Sequence, residues 1–234
     1  MAAQTQHFHV VSRSKAFVSG DAEGYFGRLA QQIDWQFPDT PLVLVGFSLG
    51  AAAALRVAPH LGKRVQRIDL VSPAAPLTLG DFLDGMAGAP VFRAALYGRV
   101  PFALLTFMQA QIARIAPAKM AAMLMAKARS ADRDLAGEPV FMAQLEASLR
   151  QSLLEQRAAY RQEIQLYVAD WQAELASISQ PVSIWQGSED DWTPPAMARA
   201  LADALPSCTG VLMQPGLSHF STLGRYLEQS VAGK

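Results

Sequence analysis

Residues 42–57 constrain the fold more than any other part of the sequence. Residues 42–45, Leu-Val-Leu-Val, are apolar without alternation, which is typical of a central parallel strand covered on both faces. The turn Gly46-Phe-Ser-Leu-Gly follows at once, and the alanine-rich residues 51–57 predict a helix that packs closely against a sheet. A strand, a sharp turn and a helix in this order predict an α/β fold with a mostly parallel sheet and flanking helices.

Strand and helix patterns alternate on both sides of this unit. Apolar, partly β-branched runs predict further strands at residues 8–11, 65–71, 181–186 and 210–214. Helical spacing of apolar residues predicts helices at residues 25–33, 195–205 and 222–229. The number of residues between the strands predicted at residues 42–45 and 65–71 suits a strand-helix-strand crossover, so we expect those strands to be parallel.

The middle of the chain has a different pattern of residues. Strand-like runs disappear there, and helical patterns occur at residues 102–115, 119–128, 140–154 and 157–175. The sequence therefore predicts a core, residues 1–76 and 181–234, with a helical cap at residues 77–180. The cap is rich in methionine and phenylalanine, which suits an apolar acyl chain, although these side chains also serve to pack helices together. Residues 129–134 carry mixed charges and are interpreted as a solvated turn.

Charge and cysteine content argue against several function classes. The 20 basic and 20 acidic residues cancel, so the chain as a whole has no field that attracts nucleic acid or an anionic membrane. Cys208 is the only cysteine, which excludes an internal disulfide and a cysteine-rich metal site. No secretory signal is apparent, and the longest weakly polar stretch is shorter than the roughly 20 apolar residues of a membrane span. We expect a cytoplasmic protein without a membrane span or a nucleic-acid partner.

Ser48 is the candidate nucleophile. It is the serine of a G-x-S-x-G pattern, in which the glycines allow a sharp strand-to-helix turn that exposes the serine hydroxyl. The pattern alone is weak evidence, but the apolar strand before it and the helix after it are the context that this turn requires. The alternative interpretation is a glycine-rich turn with a solvated serine.

A serine hydroxyl needs a base, and His219 is the candidate. His219 lies just after the last predicted strand, at the sheet edge where Ser48 also emerges. The other histidines, His7, His9 and His60, are interpreted as surface residues. The spacing of His7 and His9 would place both rings on one face of a strand as a metal pair, but no third ligand is evident, so no metal site and no cofactor are expected.

The loop after the strand at residues 181–186 offers three carboxylates, Glu189, Asp190 and Asp191. Here the sequence resembles the α/β-hydrolase superfamily, whose members often carry the pattern G-x-x-D-x-x-V-P at this point. That pattern falls on Gly187, Asp190, Thr193 and Pro194, which selects Asp190. The order serine, aspartate, histidine along the chain is also that of the superfamily, and the resemblance extends over residues 42–226.

The resemblance implies a serine hydrolase. Ser48 would attack a carbonyl, His219 would take and return the proton, and Asp190 would orient the imidazole. The Leu49 N–H would be the first donor of the oxyanion hole. The expected substrate is a small molecule, a carboxylic ester or thioester of an apolar acyl group, cleaved without a cofactor.

The chain departs from the superfamily pattern at its N-terminal end. It has no His-Gly pair for the second oxyanion donor, and one predicted strand precedes residue 42 where relatives have several. Either residues 8–11 pair directly with residues 42–45, which would place Ser12 or Arg13 near the second donor position, or the absent strands belong to a longer product or a partner chain. The alternatives to an active hydrolase are therefore a non-catalytic binding protein and a shortened hydrolase with impaired activity. The sequence does not fix the oligomeric state.

Overall fold

A parallel sheet lies at the centre of the structure, a computed structural model that describes residues 8–232. Its four strands are β1 (Leu42–Phe47), β2 (Val65–Val71), β3 (Val182–Gly187) and β4 (Cys208–Gln214). The strands lie side by side in chain order, and each pair is parallel. This sheet confirms the α/β fold class that the sequence predicts.

Helices cover the sheet and fill the connection between β2 and β3. The described residues form these α-helices: α1 (Tyr25–Gln36), α2 (Gly50–Leu61), α3 (Ala89–Tyr97), α4 (Arg99–Ile115), α5 (Pro117–Met125), α6 (Ser130–Ala136), α7 (Pro139–Arg150), α8 (Arg157–Val168), α9 (Pro195–Ala204) and α10 (His219–Ala232). Helix α2 packs on β1 and β2, and α1 packs on α2. The buried positions Tyr25, Leu29 and Ile33 of α1 have the spacing that predicts one apolar helix face.

The six helices α3 to α8 lie between β2 and β3, within residues 77–180, which we call the cap segment. Phe92, Phe102, Ile164 and Tyr167 of these helices belong to the same buried apolar cluster as the helices α1 and α2. A single π-helical turn, Gln151–Glu155, joins α7 to α8. The cap segment thus shares a hydrophobic core with the rest of the chain.

The segment before α1 differs from its prediction. Residues 8–12 form no strand, so the prediction of a strand at residues 8–11 is wrong. The Phe8 ring instead contacts Tyr226 of α10 edge to face, with ring centroids 6.3 Å apart. The His9 ring lies 5.0 Å from the ring of Phe37, which directly follows α1. Side-chain contacts with two helices therefore take the place of backbone pairing with β1.

Strand β1 lies at the edge of the sheet, which contradicts the prediction of a central strand covered on both faces. It pairs with β2 on one side, and no strand lies on its other side among residues 8–232. Val43 and Val45 are 38% and 36% exposed. Helix α10 packs mainly on β2 and β3, and it meets β1 at Phe47, the last residue of that strand. The proposed pairing of residues 8–11 with residues 42–45 is therefore not found.

Candidate active site

The turn after β1 holds Ser48 in a strained backbone conformation. Ser48 has a φ of +56°, a left-handed value that residues other than glycine rarely adopt. Its N–H donates a hydrogen bond to the carbonyl of Val71 on β2 at 3.1 Å. A Cβ atom on Gly46 would lie 2.7 Å from the Cα of Ala51, so only glycine allows α2 to begin this close to β1.

The His219 ring and the Asp190 carboxylate form a buried pair. His219 Nδ1 lies 2.9 Å from Asp190 Oδ2 and 3.2 Å from Oδ1. The side chains come from different elements, since Asp190 follows β3 and His219 is the first residue of α10. Three hydrogen bonds join these loops: the Glu189 N–H donates to the Leu217 carbonyl, the Gly216 N–H donates to the Ser188 hydroxyl, and the Ser218 hydroxyl donates to the Glu189 carbonyl.

The Asp190 carboxylate accepts further hydrogen bonds from its own loop. The backbone N–H groups of Trp192 and Thr193 donate to Oδ1 at 2.9 Å, and the Thr193 hydroxyl is 3.1 Å from Oδ2. Burial alone would raise the pKa of the Asp190 carboxyl, but His219 and hydrogen bonds from Thr193 and Ser72 outweigh it and lower the pKa. Asp190 is thus held as a carboxylate that can stabilise a positively charged imidazole.

Aromatic side chains enclose the His219 ring. Phe47, the residue before Ser48, lies 4.6 Å from it, Trp192 stacks on it at 5.7 Å, and Phe220 meets it edge to face. His219 is only 2% exposed as a result. No hydrogen bond joins the Ser48 hydroxyl to the His219 ring in the part of the chain that the structure describes. The structure therefore places Ser48 and His219 at the same sheet edge without the hydrogen bond that the predicted roles of a nucleophile and its base imply.

The start of α2 offers donors next to Ser48. Leu49 precedes the helix, and the first N–H groups of a helix have no carbonyl partner within it. Arg13 lies beside this turn, since a Cβ atom on Gly50 would be 3.1 Å from Arg13 Nη1. The other two guanidinium nitrogens of Arg13 bind both carboxylate oxygens of Glu163 on α8.

A sequence profile of the Alpha/beta hydrolase family matches residues 11–229. The chain belongs to the alpha/beta hydrolase family. The match includes Ser48, Asp190 and His219, and it extends through the cap segment.

Solved structures show the same fold for this alpha/beta hydrolase. A thermophilic esterase from Thermogutta terrifontis is 18% identical with a TM-score of 0.62, and the match covers 91% of this chain and 70% of that chain. The enol-lactonase from Burkholderia xenovorans LB400 is 17% identical with a TM-score of 0.58, covering 88% and 70%. A bromoperoxidase from Bacillus anthracis is 14% identical with a TM-score of 0.57, covering 92% and 75%. At these identities the likeness concerns the fold alone.

No curated protein sequence matches this alpha/beta hydrolase. Within residues 8–232, no helix has the length and hydrophobicity that crossing a membrane requires.

The other two candidate carboxylates of this hydrolase, Glu189 and Asp191, lie away from the His219 ring. Glu189 is exposed, and Asp191 lies 3.8 Å from Arg129. Burial raises the pKa of the Asp191 carboxyl. Of the three candidate carboxylates, Asp190 therefore contacts the imidazole.

The two other histidines that the structure describes lie on the surface. His9 and His60 are exposed, and His7 lies outside the described residues. No group of three potential metal ligands occurs among residues 8–232.

Two residues that the sequence analysis did not select hold the Asp190–His219 pair in place. Asp132 is 1% exposed, and its carboxylate accepts hydrogen bonds from the backbone N–H groups of Phe220 and Ser221 at 3.0 and 2.7 Å. Residues 130–134 belong to α6, so the prediction of a solvated turn at residues 129–134 is wrong. The Thr193 hydroxyl, in addition to Asp190, contacts the Ser72 carbonyl at 2.9 Å. Thr193 was visible in the G-x-x-D pattern, whereas only the fold brings Asp132 to α10.

Proposed function

We propose that this alpha/beta hydrolase is a serine hydrolase that cleaves a carboxylic ester or thioester through Ser48, His219 and Asp190. The observation that carries the proposal is the buried hydrogen bond between His219 and Asp190 at the sheet edge where Ser48 adopts its strained turn. A carboxylate that holds one imidazole nitrogen leaves the other nitrogen to act as a base. The Phe47–His219 contact supports the proposal, because it brings the imidazole next to the residue that precedes Ser48.

The proposed reaction proceeds through an acyl-enzyme. Ser48 Oγ attacks the carbonyl carbon while His219 Nε2 takes the hydroxyl proton, and Asp190 stabilises the imidazolium that results. Collapse of the tetrahedral intermediate breaks the bond to the leaving group, which receives the proton from His219. Water then attacks the acyl group, His219 takes a proton from it, and the carboxylic acid leaves with Ser48 restored.

The oxyanion of the tetrahedral intermediate would be stabilised at the start of α2. The Leu49 N–H is the first donor, because it follows Ser48 and precedes the helix. Arg13 lies near this turn although residues 8–11 do not pair with residues 42–45, and its Nη1 is the candidate for a second donor. The guanidinium rather than a loop backbone amide would then supply this donor.

The proposed substrate class rests on the side chains that surround the Asp190–His219 pair. Phe220, Trp192 and Phe141 of α7 form a connected aromatic group beside His219. Such a group favours an apolar acyl chain over a charged one. The structural neighbours include an esterase and an enol-lactonase, which agrees with cleavage of an ester bond.

A fluorophosphonate probe tests this proposal. We expect stoichiometric labelling of the wild-type protein and no labelling of Ser48→Ala or His219→Ala. Para-nitrophenyl esters of increasing acyl length then test the apolar preference, with rates that rise from acetate to longer chains. Well-folded wild-type protein that takes up no probe and cleaves no ester would overturn the proposal.

A second candidate function is a binding protein without catalysis. It is favoured by the closed surroundings of His219 and by the absence of a Ser48–His219 hydrogen bond in the described residues. Catalytic hydrogen bonds are often long or misaligned without substrate, so this geometry does not exclude the hydrolase. Failure of labelling together with saturable binding of an apolar ester would favour the binding protein.

A further inference from the structure

Helix α4 of the cap segment carries large apolar side chains on its exposed side as well as on its buried side. Phe102, Thr106, Ala110 and Ala113 form its buried side. The opposite side carries six large apolar residues that are between 40% and 80% exposed: Val100, Leu104, Phe107, Met108, Ile112 and Ile115. We call these six residues the α4 stripe. An exposed apolar surface of this length commonly marks a site that binds protein or lipid, and none of residues 8–232 covers the α4 stripe.

The α4 stripe extends along the whole helix. Its members recur at the three- and four-residue spacing that places side chains on one face. A helix of 17 residues is about 25 Å long at 1.5 Å per residue. Tyr97, at the end of α3, is 89% exposed and lies one residue before the glycine that precedes α4. The exposed apolar surface of α4 is therefore long and narrow, and a further exposed aromatic residue precedes it in the sequence.

The surrounding sequence is basic, although the chain as a whole is neutral. Residues 85–131 contain six Arg or Lys residues and no Asp or Glu. Four of these cations, Arg99, Arg114, Lys119 and Lys127, are exposed, and none forms an ion pair with any residue from 8 to 232. Arg99 begins α4 and Arg114 lies in its last turn, so positive charge is present at both ends of the α4 stripe.

We propose that the α4 stripe docks on an anionic lipid surface. An apolar helix face with basic residues at its ends is the arrangement by which a helix lies in the membrane interface. The apolar side chains enter the boundary between headgroups and acyl chains, and the cations contact the anionic headgroups. The charge favours this occupant over a second copy of the chain, because two copies facing each other would bring together two sets of unpaired cations.

Vesicle flotation tests the proposal with the full chain. Vesicles of phosphatidylcholine alone are compared with vesicles of equal parts phosphatidylcholine and phosphatidylglycerol. We expect the wild-type protein to float with the anionic vesicles and to be released by high salt. At about 1 kcal/mol per cation near the surface, the double variant Arg114→Gln with Lys119→Gln is expected to bind about 30-fold more weakly.

The apolar contribution is tested separately. The double variant Leu104→Gln with Phe107→Gln is expected to lower binding to anionic vesicles at least about tenfold. Trp35→Gln is the matched apolar control, because Trp35 is 83% exposed on α1, outside the cap segment. Lys15→Gln with Lys63→Gln is the matched charge control, since both lysines are exposed outside the cap segment. Neither control is expected to change binding.

Three results would overturn the proposal. The first is no binding to anionic vesicles at low salt by protein whose circular dichroism shows a folded chain. The second is an equal change in vesicle binding for Leu104→Gln with Phe107→Gln and for its control, Trp35→Gln. The third is absence of vesicle binding by a wild-type protein that light scattering shows to be a dimer, when Leu104→Gln with Phe107→Gln converts that dimer to a monomer. This result would assign the α4 stripe to contact with a second copy of the chain.

Discussion

Gly187 ends β3 at a point where no side chain fits. A Cβ atom there would lie 2.6 Å from the carbonyl oxygens of Leu217 and Ser218 and from the Thr222 hydroxyl. Two of these three atoms belong to the backbone just before His219, so they can move away only if that loop shifts. We expect Gly187→Ala to lower the free energy of unfolding by about 1–3 kcal/mol, measured by urea denaturation.

Gly27 provides the matched control for this substitution. It lies within α1, and a Cβ atom there would have no neighbour within 4 Å. Gly27→Ala is therefore expected to stabilise the protein by about 0.5–1 kcal/mol, because alanine restricts the unfolded chain. Equal effects of the two substitutions would contradict the close approach at Gly187.

The lowered pKa of Asp190 predicts a pH dependence of stability. Because the pKa is lower in the folded than in the unfolded chain, Asp190 contributes stability above its ordinary value of about 3.9. That contribution is lost as the pH falls through the lower, folded value. We expect Asp190→Asn to lower the melting temperature at neutral pH and to differ progressively less from wild type below about pH 4. A constant difference between the two melting temperatures from neutral to acidic pH would refute this assignment.

At the scale of elements, the cap segment supplies the capping residue for the helix that begins with His219. The Asp132 carboxylate of α6 accepts hydrogen bonds from the N–H groups of Phe220 and Ser221 in the first turn of α10. Loss of a helix cap costs about 0.5–2 kcal/mol, so Asp132→Ala is expected to destabilise the protein by that amount. It should also slow fluorophosphonate labelling, because the position of His219 depends on the first turn of α10.

Two variants distinguish capping from a general effect of α6. Asp132→Asn retains an acceptor oxygen and is expected to recover part of both losses. Asp134→Ala removes an exposed carboxylate from the same helix and is expected to change neither stability nor labelling. A labelling rate that is the same in Asp132→Ala and wild type would show that His219 does not depend on this contact.

Most elements were predictable because their side-chain patterns decide them. The strand predicted at residues 65–71 is observed as Val65–Val71, and the helix α1 has the predicted buried face. Two of the errors, the strand predicted at residues 8–11 and the central position predicted for β1, concern which neighbours a strand has. An apolar run records that side chains avoid water, but it does not say whether a strand or a helix covers them.

The contact between Asp190 and His219 was likewise predictable from the sequence, whereas the residue that positions the start of α10 was not. The G-x-x-D pattern selects the carboxylate that contacts the imidazole. Asp132 is 87 positions before His219, and no local pattern connects the two residues. The contact exists because α6 packs against α10, and that packing depends on the path of the cap segment.

At the scale of the whole molecule, one cluster joins three distant parts of the chain. Arg13, before α1, binds both carboxylate oxygens of Glu163 on α8, and the Tyr25 hydroxyl of α1 donates to the same carboxylate. Burial, followed by the charge of Glu163, raises the pKa of Tyr25, so the hydroxyl remains a donor. This cluster ties the cap segment to the region beside Ser48.

Replacing Glu163 tests the strength of that connection. Glu163→Gln leaves Arg13 without its anionic partner, and because the pair is partly exposed we expect a loss of about 1–2 kcal/mol, below that of a fully buried pair. For a chain of this size each kcal/mol lowers the melting temperature by about 2–4 °C, which calorimetry resolves. Tyr25→Phe removes only one donor and is the milder comparison. If Arg13→Met and Glu163→Gln have fully additive effects, the two residues are not coupled.

The open side of β1 has a consequence for exchange with heavy water. Along a strand, successive N–H groups point to alternate sides, so about half of those on β1 face away from β2 and have no ladder partner among the described residues. Those amides should take up deuterium well before the amides of β2, which have a strand on either side. Mass spectrometry of peptides covering residues 42–47 and 65–71 would reveal this order, and equal protection of the two peptides would mean that the outer amides of β1 are covered in solution.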